Sequence, residues 1–264
     1  MVGVVEALVI LAAGFWAGMI NVVVGSGTLV TFPTLLLFGY PPLVANVSNN
    51  IGLVGGGITG TFGYRHELGG RRRELRRLLP ASLLGGVTGA VLLLVLPDDA
   101  FRAIVPVLIA VGLVMVVWGP ALQRRAARRR DAGPDDSRLS TLTRPRLLTV
   151  LVGVYVLGIY GGYFGAAQGV LIIGLLSVLT AEGIQSITGL KNLLTTAVNA
   201  IAAVAFLLIS PESVDWSVVA LIAIGATAGG VAGARFGRRL PPWLMRTLIV
   251  LVGVAAILRM LVFR

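Results

Sequence analysis

The sequence lacks cysteine altogether and has one histidine, His66, and one lysine, Lys191. Without cysteine it offers no disulfide, no thiolate metal site and no cysteine nucleophile. Charged residues make up only 12% of the 264 residues, whereas soluble domains carry about 25%. Apolar residues reach 56%, and the mean hydropathy is +0.93. This composition excludes an ordinary soluble domain and is typical of a chain that lies in a lipid bilayer.

Apolar runs broken by charge, glycine or proline predict ten membrane segments. They cover roughly residues 2–24, 28–39, 43–63, 79–96, 101–119, 147–165, 169–181, 187–209, 216–238 and 243–263. The segments at 28–39 and 169–181 are short, because a helix of a dozen residues spans only about 18 Å. Both follow glycines, so we expect two short or broken helices. The first segment has no basic region or cleavage site, and we expect it to be a retained span.

Most of the arginines lie in three stretches, residues 65–77, 124–146 and 235–246, whereas the loops at 97–99 and 211–215 are acidic. We expect a bacterial plasma (inner) membrane protein. The positive-inside rule places the basic stretches on its cytoplasmic side and both termini outside. Equivalent loops of the two halves then face opposite sides. We therefore predict an all-α integral membrane fold of two inverted-topology repeats, each with about five hydrophobic segments. The boundaries are an N-terminal membrane repeat (1–119), a basic cytoplasmic linker (120–146) and a C-terminal membrane repeat (147–264).

The two halves of the chain also resemble each other in their glycines. At an offset of 144 residues, Gly14, Gly18 and Gly25 fall on Gly158, Gly162 and Gly169. An offset of 143 sets Asn49 against Asn192. Matched, glycine-interrupted short segments are the sequence sign of a transporter site at the centre of the membrane.

The chain has a glycine-rich opening with Gly25-Ser26-Gly27-Thr28 and a short segment with Pro33, and this arrangement is repeated after a basic linker. These features resemble the TauE/SafE family. The resemblance covers nearly the whole chain and implies a membrane transporter of sulfite, an organosulfonate or another sulfur oxyanion. The second half reads Ala166-Ala167-Gln168-Gly169 where the family is richer in glycine. The resemblance therefore leaves open which anion is carried, in which direction, and with which coupling ion.

Lys191 is the strongest candidate for a binding residue. It lies within the apolar segment 187–209, and the nearest acidic residue in the sequence is Glu182. An ionisable side chain inside a membrane segment marks a functional site by default, and a cation without a carboxylate partner suits an anion. The alternative is that Lys191 extends to the membrane surface or pairs with Glu182.

Polar side chains and glycines at matching places in the two halves complete the predicted substrate-binding site. Amide and hydroxyl groups can donate hydrogen bonds to an oxyanion, or they can simply join helices. Thr195 fits the structural role better. Glycines before a short helix expose N–H groups that favour anions. The full set is Lys191, Asn192, Asn49, Ser48, Asn50, Gly25, Ser26, Gly27, Gln168, Gly169 and Asn199.

The favoured function is transport of small anions by alternating access between the repeats. An intramembrane enzyme acting on a lipid or a small phosphate or sulfur compound is the first alternative, but it would need paired carboxylates or a histidine at the site. The second is a Na⁺-coupled carrier of another solute. We expect no catalytic residue, no metal site and no cofactor. The expected partners are a small anion and the lipid bilayer but no nucleic acid, and the sequence leaves a homodimer open.

Overall fold

The structure, a computed structural model, describes residues 3–130, 139–237 and 242–262. Apart from a short 3₁₀ turn at Pro211–Ser213, the regular elements in these ranges are α-helices, which confirms the all-α prediction. They are α1 (Val4–Val23), α2 (Thr28–Leu37), α3 (Pro42–Gly63), α4 (Arg65–Leu68), α5 (Arg72–Val95), α6 (Asp98–Arg130), α7 (Arg144–Tyr163), α8 (Gln168–Leu179), α9 (Ile184–Ile209), α10 (Trp216–Phe236) and α11 (Pro242–Val262).

Five of these helices, α1, α5, α7, α9 and α10, are long and apolar enough to cross a membrane. Large apolar side chains on their outer faces are exposed, among them Val4 (78%) and Leu208 (79%). Apolar surface of this extent suits contact with lipid. The predicted short helices are confirmed as α2 and α8, with ten and twelve residues. Helix α6 continues to Arg130, into the predicted linker, and the linker's Gly133-Pro134-Asp135-Asp136 lies outside the described residues.

Helices α1 and α7 end in the same kind of turn. The N–H groups of Val24 and Gly25 both donate to Ile20 O, and those of Phe164 and Gly165 both donate to Tyr160 O. The turn glycines have positive φ, 90° at Gly25 and 74° at Gly165. Glycine adopts this conformation without the steric cost that a Cβ atom brings.

The turn glycine of the second half is therefore Gly165. The repeat alignment pairs Gly25 with Gly169, but Gly169 is the second residue of α8, and Gln168 is the first. The alignment is wrong at this point because α7 ends at Tyr163, about one helical turn before the position that matches the end of α1. Gln168 and Gly169 thus begin the short helix, whereas the prediction placed them before it.

The halves contact each other through glycines, because the first helix of each half packs on the fourth membrane segment of the other, α10 or α5. Three glycines of α10 pack against successive turns of α1. Gly225 packs against Leu11, Gly229 against Phe15 and Gly233 against Met19. Two glycines of α5 pack against α7 in the same way, Gly85 against Tyr155 and Gly89 against Ile159. Residue numbers rise together in both pairs, so α1 runs parallel to α10 and α5 runs parallel to α7.

These glycines let the helix backbones touch. A Cβ atom added at Gly229 would lie 1.9 Å from Phe15 O, and one added at Gly162 would lie 2.1 Å from Gly86 O. Such close approach is how membrane helices gain packing energy without large side chains. The two interfaces fix where the ends of α1 and α7 lie, and the candidate site lies after the end of α1 and at the start of α8, which follows α7.

Candidate functional site

The turn after α1 meets the start of α8 inside the protein. The N–H of Gly169 donates to Gly25 O at 3.0 Å. A Cβ atom at Gly169 would lie 2.5 Å from Gly25 Cα, so neither position leaves room for a side chain. The helix breaks of the two halves are therefore joined by a direct backbone contact between residues that are far apart in the sequence.

Lys191 of α9 lies beside this contact and is fully buried, at 0% exposure. A Cβ atom at Gly169 would lie 2.8 Å from Lys191 Cδ, so the aliphatic stem passes the glycine. The ammonium group donates to Asn21 O (2.7 Å), Val22 O (2.8 Å) and Asn192 Oδ1 (2.6 Å). Both carbonyls belong to the last turn of α1, whose partial negative charge favours a cation.

The alternative interpretations of Lys191 do not match this geometry. The side chain does not reach the surface, and Glu182 is engaged elsewhere. The Glu182 carboxylate accepts from Arg71 at 2.6 Å and from the N–H of Leu139 at 3.1 Å. Among residues whose burial the structure describes, Lys191 is the one buried cation and Glu182 the one buried carboxylate.

Three buried donor groups next to these residues have no hydrogen-bond partner in the part of the chain that the structure describes. They are the hydroxyl of Ser26, Nε2 of Gln168 and Nδ2 of Asn192. Their residues are 0%, 2% and 3% exposed. In sequence they neighbour Gly25, Gly169 and Lys191. An unsatisfied buried donor costs about 1–3 kcal/mol, so three of them on residues next to the helix breaks call for an explanation. A ligand that accepts hydrogen bonds would supply one.

Asn49 is buried in the same region, but both ends of its amide have partners. Its Oδ1 accepts from the hydroxyl of Thr31, and its Nδ2 donates to Thr28 Oγ1 at 3.4 Å. Asn49 therefore ties α3 to the short helix α2. No sequence pattern singles out Thr31, because threonine on an apolar helix commonly bonds to its own backbone.

The other predicted residues make different contacts. Ser48 Oγ accepts from the N–H of Asp215 at 2.9 Å, before α10 begins. Asn50 donates to Asn199 Oδ1 at 3.5 Å, between α3 and α9. Gly27 packs against α1, where a Cβ atom would lie 2.3 Å from Ala17 O. Thr195 donates to the carbonyls of its own helix, in agreement with a structural role.

Part of the predicted set thus lies at the contact between Gly25 and Gly169, which Lys191 passes, or directly beside these residues in the chain. This cluster, called the tip site below, consists of Gly25, Ser26, Gln168, Gly169, Lys191 and Asn192. Sequence reasoning missed the carbonyls of Asn21 and Val22, because backbone groups carry no sequence signal beyond the glycine that ends the helix. As a group the tip site offers a positive charge and free donors.

Comparison with known proteins places the chain in a family. The model of the family described as "Sulfite exporter TauE/SafE" matches residues 10–260. "Probable membrane transporter protein ORF9" of Sinorhizobium sp. is 29% identical over 94% of this chain and 90% of its own length. A probable membrane transporter protein of Haemophilus influenzae is 24% identical, over 96% of this chain and 93% of its own length. YfcA, a probable membrane transporter protein of Escherichia coli, is 26% identical over 90% of this chain and 82% of its own length.

No solved structure matches the chain. With buried polar helix breaks inside an apolar bundle and a family match across nearly its whole length, the chain belongs to the TauE/SafE family of membrane transporters.

Proposed function

We propose that this transporter carries small oxyanions, sulfite or an organosulfonate in particular, and that the tip site binds them. The observation that supports the proposal is the set of three unpartnered buried donors on residues that adjoin Gly25, Gly169 and Lys191 in the chain. Ser26, Gln168 and Asn192 each present a donor, and an oxyanion has several oxygens that accept hydrogen bonds. Hydrogen bonds between such donors and a charged group are stronger than those between neutral groups.

Charge also favours an anion at this place. Lys191 supplies a positive charge, and the one buried carboxylate among the described residues, Glu182, is paired with Arg71. A buried charge is costly without a nearby opposite charge, and the bilayer offers none. An anion at the tip site would meet the Lys191 charge, whereas a cation would meet repulsion from it.

Alternating access between two inverted repeats is the mechanism we propose. The packing of α1 on α10 and of α5 on α7 supports it, since each half places the same kind of helix pair against the other. The tip site lies where the halves touch, as expected for a site exposed to one side and then to the other. We retain residues 1–119 and 147–264 as the repeats and 120–146 as the linker.

The orientation proposed from the sequence places the arginine-rich loops on the cytoplasmic side of a bacterial inner membrane. The ends of α10 support this polarity. Asp215 caps its start by accepting from the N–H groups of Ser217 and Val218, and Arg235 lies in its last turn. The positive-inside rule assigns the arginine end to the cytoplasm.

The test is sulfite and methanesulfonate flux in proteoliposomes, with wild type beside Ser26→Ala. We expect Ser26→Ala to raise KM about tenfold, because it removes one hydrogen bond to a charged ligand. Ser82→Ala is the matched control, since the Ser82 hydroxyl is also buried and unpartnered but lies on α5 against α7. Equal KM values for the two variants would show that the Ser26 hydroxyl does not bind the anion. Absence of flux for every oxyanion in wild type would overturn the proposed function.

A further inference from the structure

The ammonium group of Lys191 is held as a bound metal cation would be. Three oxygens surround it at 2.6–2.8 Å, two of them backbone carbonyls and one an amide oxygen. All three are neutral ligands. An ammonium group has three N–H donors, and these three oxygens use all of them. Lys191 therefore has no N–H left for a substrate while this arrangement lasts.

The two carbonyls are available because of the way α1 ends. The N–H of Gly25 would reach Asn21 O in a continuing helix, but it donates to Ile20 O instead. The carbonyls of Asn21 and Val22 are thus left at the open end of the helix, where the helix dipole is negative. In transporters, such helix ends and unwound carbonyls are places where Na⁺ binds.

We propose that Asn21 O, Val22 O and Asn192 Oδ1 form a monovalent-cation site that Lys191 fills with its own tethered charge. The consequence for transport rests on the proposed function. The positive charge that an oxyanion needs is then built into α9, and the carrier requires no Na⁺ for that purpose. The direct ligands of the anion are the free donors of Ser26, Gln168 and Asn192, and Lys191 is a positioning residue that acts through α1 and Asn192.

Asn192 links the cation site to the anion site. Its Oδ1 accepts from the Lys191 ammonium, which turns its Nδ2 away, and that Nδ2 is one of the unpartnered donors. A cation in the three-oxygen site therefore fixes the orientation in which the amide presents an N–H to the anion. Removing the cation would free the amide to rotate and would weaken anion binding.

The test removes the tethered charge and offers a free one. Lys191→Ala deletes the ammonium and most of the stem, leaving the three oxygens and room for a small cation with water. We expect its melting temperature in detergent to be about 2–4 °C higher in NaCl or methylammonium chloride than in choline chloride of equal ionic strength. Wild type is expected to melt at the same temperature in all three salts, because its site is already filled.

Lys191→Met is the matched control, because it removes the charge but keeps a long apolar stem in the space. We expect its melting temperature to be independent of the cation. Adding Asn192→Ala to Lys191→Ala removes one of the three oxygens and is expected to reduce the response to NaCl. If Lys191→Ala melts at one temperature in all three salts, or folds in none of them while Lys191→Met folds, the proposal is overturned.

Flux measurements on wild type give an independent check that does not depend on a variant. The proposal expects equal oxyanion flux with NaCl or choline chloride on both sides of the membrane, and a requirement for Na⁺ would contradict it. The melting experiment involves no anion, so the two proposals can fail separately. A wild-type chain that carries no oxyanion, beside a Lys191→Ala variant that responds to Na⁺, would overturn the proposed function and leave the cation site standing.

Discussion

The N–H of Gly169 donates to Gly25 O at 3.0 Å, and this one bond joins the helix breaks of the two halves of the chain. It places the end of α1 against the start of α8, and Lys191 passes the same glycine. The contact exists only because both residues lack a side chain. Any substitution that separates the two backbones should therefore affect both the packing of the halves and the tip site.

Gly169→Ala tests this contact. The added methyl group would lie 2.5 Å from Gly25 Cα and 2.8 Å from Lys191 Cδ. We expect a loss of about 1–3 kcal/mol in stability, as for other substitutions that overfill a packed core. Anion flux should fall with it, because the backbones of Gly25 and Gly169 must move apart. Thermal unfolding in detergent and flux in proteoliposomes measure the two effects.

Gly174→Ala is the control for this substitution on the same helix. A Cβ atom at Gly174 meets nothing within 4 Å. Alanine also favours a helix by about 1 kcal/mol over glycine. The variant should therefore melt at or above the wild-type temperature with unchanged flux. If Gly169→Ala behaves like Gly174→Ala, the close contact between the helix breaks is not needed.

Glu182→Gln tests the ion pair that joins the two halves at the start of α5. Arg71 precedes this helix, and Glu182 lies in the loop before α9. Glu182 is only 6% exposed and forms an ion pair with Arg71, so its substitution removes that pairing. Arg71 is 22% exposed and partly solvated, so we expect a moderate loss of about 1–3 kcal/mol.

A double-mutant cycle with Arg71→Gln measures the coupling between these two residues directly. Glu212→Gln is the control, because Glu212 is an exposed carboxylate that accepts from Ser210 in the adjacent turn. We expect no measurable change in melting temperature for that variant. Purely additive effects of Glu182→Gln and Arg71→Gln would mean that the ion pair does not couple the halves.

Asn49→Ala separates a structural role from a binding role. The Asn49 amide forms hydrogen bonds with Thr28 and Thr31, so its removal takes this partner away from two buried hydroxyl groups. We expect a stability loss of about 1–3 kcal/mol. If the residue only joins α3 to α2, KM for the anion should change less than it does in Ser26→Ala. An increase in KM as large as that of Ser26→Ala, without a loss of stability, would place Asn49 among the ligands.

Much of the fold could be predicted from the sequence, because its signals are local. Apolar runs predicted the helices, and glycines before short runs predicted α2 and α8. Gly14 and Gly158, which the offset of 144 residues pairs, both pack on the other half, at Ile222 of α10 and Ser82 of α5, although these two contact residues are 140 residues apart. These features depend on composition and periodicity, which the sequence contains directly.

The site was harder to predict, since it depends on how distant segments meet. The position of Lys191 inside an apolar helix marked it as important, but its partners are backbone carbonyls of α1, which no sequence pattern identifies. The turn at Gly165 could not be distinguished from Gly169 by residue type. The φ of 74° at Gly165 and the position of Gly169 inside α8 identify Gly165 as the turn glycine.

If the proposed function is right, the single buried cation predicts that the transporter selects between anions of different charge. Lys191 supplies one positive charge, and no second buried cation lies among the residues whose burial the structure describes. A monoanion at the tip site would be balanced, whereas a dianion would leave one charge uncompensated in a medium of low dielectric constant. We therefore expect methanesulfonate to be carried at least about tenfold faster than sulfate, since even 1.4 kcal/mol of uncompensated charge corresponds to that factor.

Sulfite provides an internal comparison, because it takes up a proton as the pH falls through neutrality and changes from a dianion to a monoanion. Sulfite flux should rise more than methanesulfonate flux as the pH is lowered, because methanesulfonate has no such step and serves as the control for the protein itself. Parallel changes in both fluxes would locate the pH dependence in the transporter. Sulfate flux equal to that of methanesulfonate would contradict the single-charge site, because the protein would then need a second cation close to the tip site.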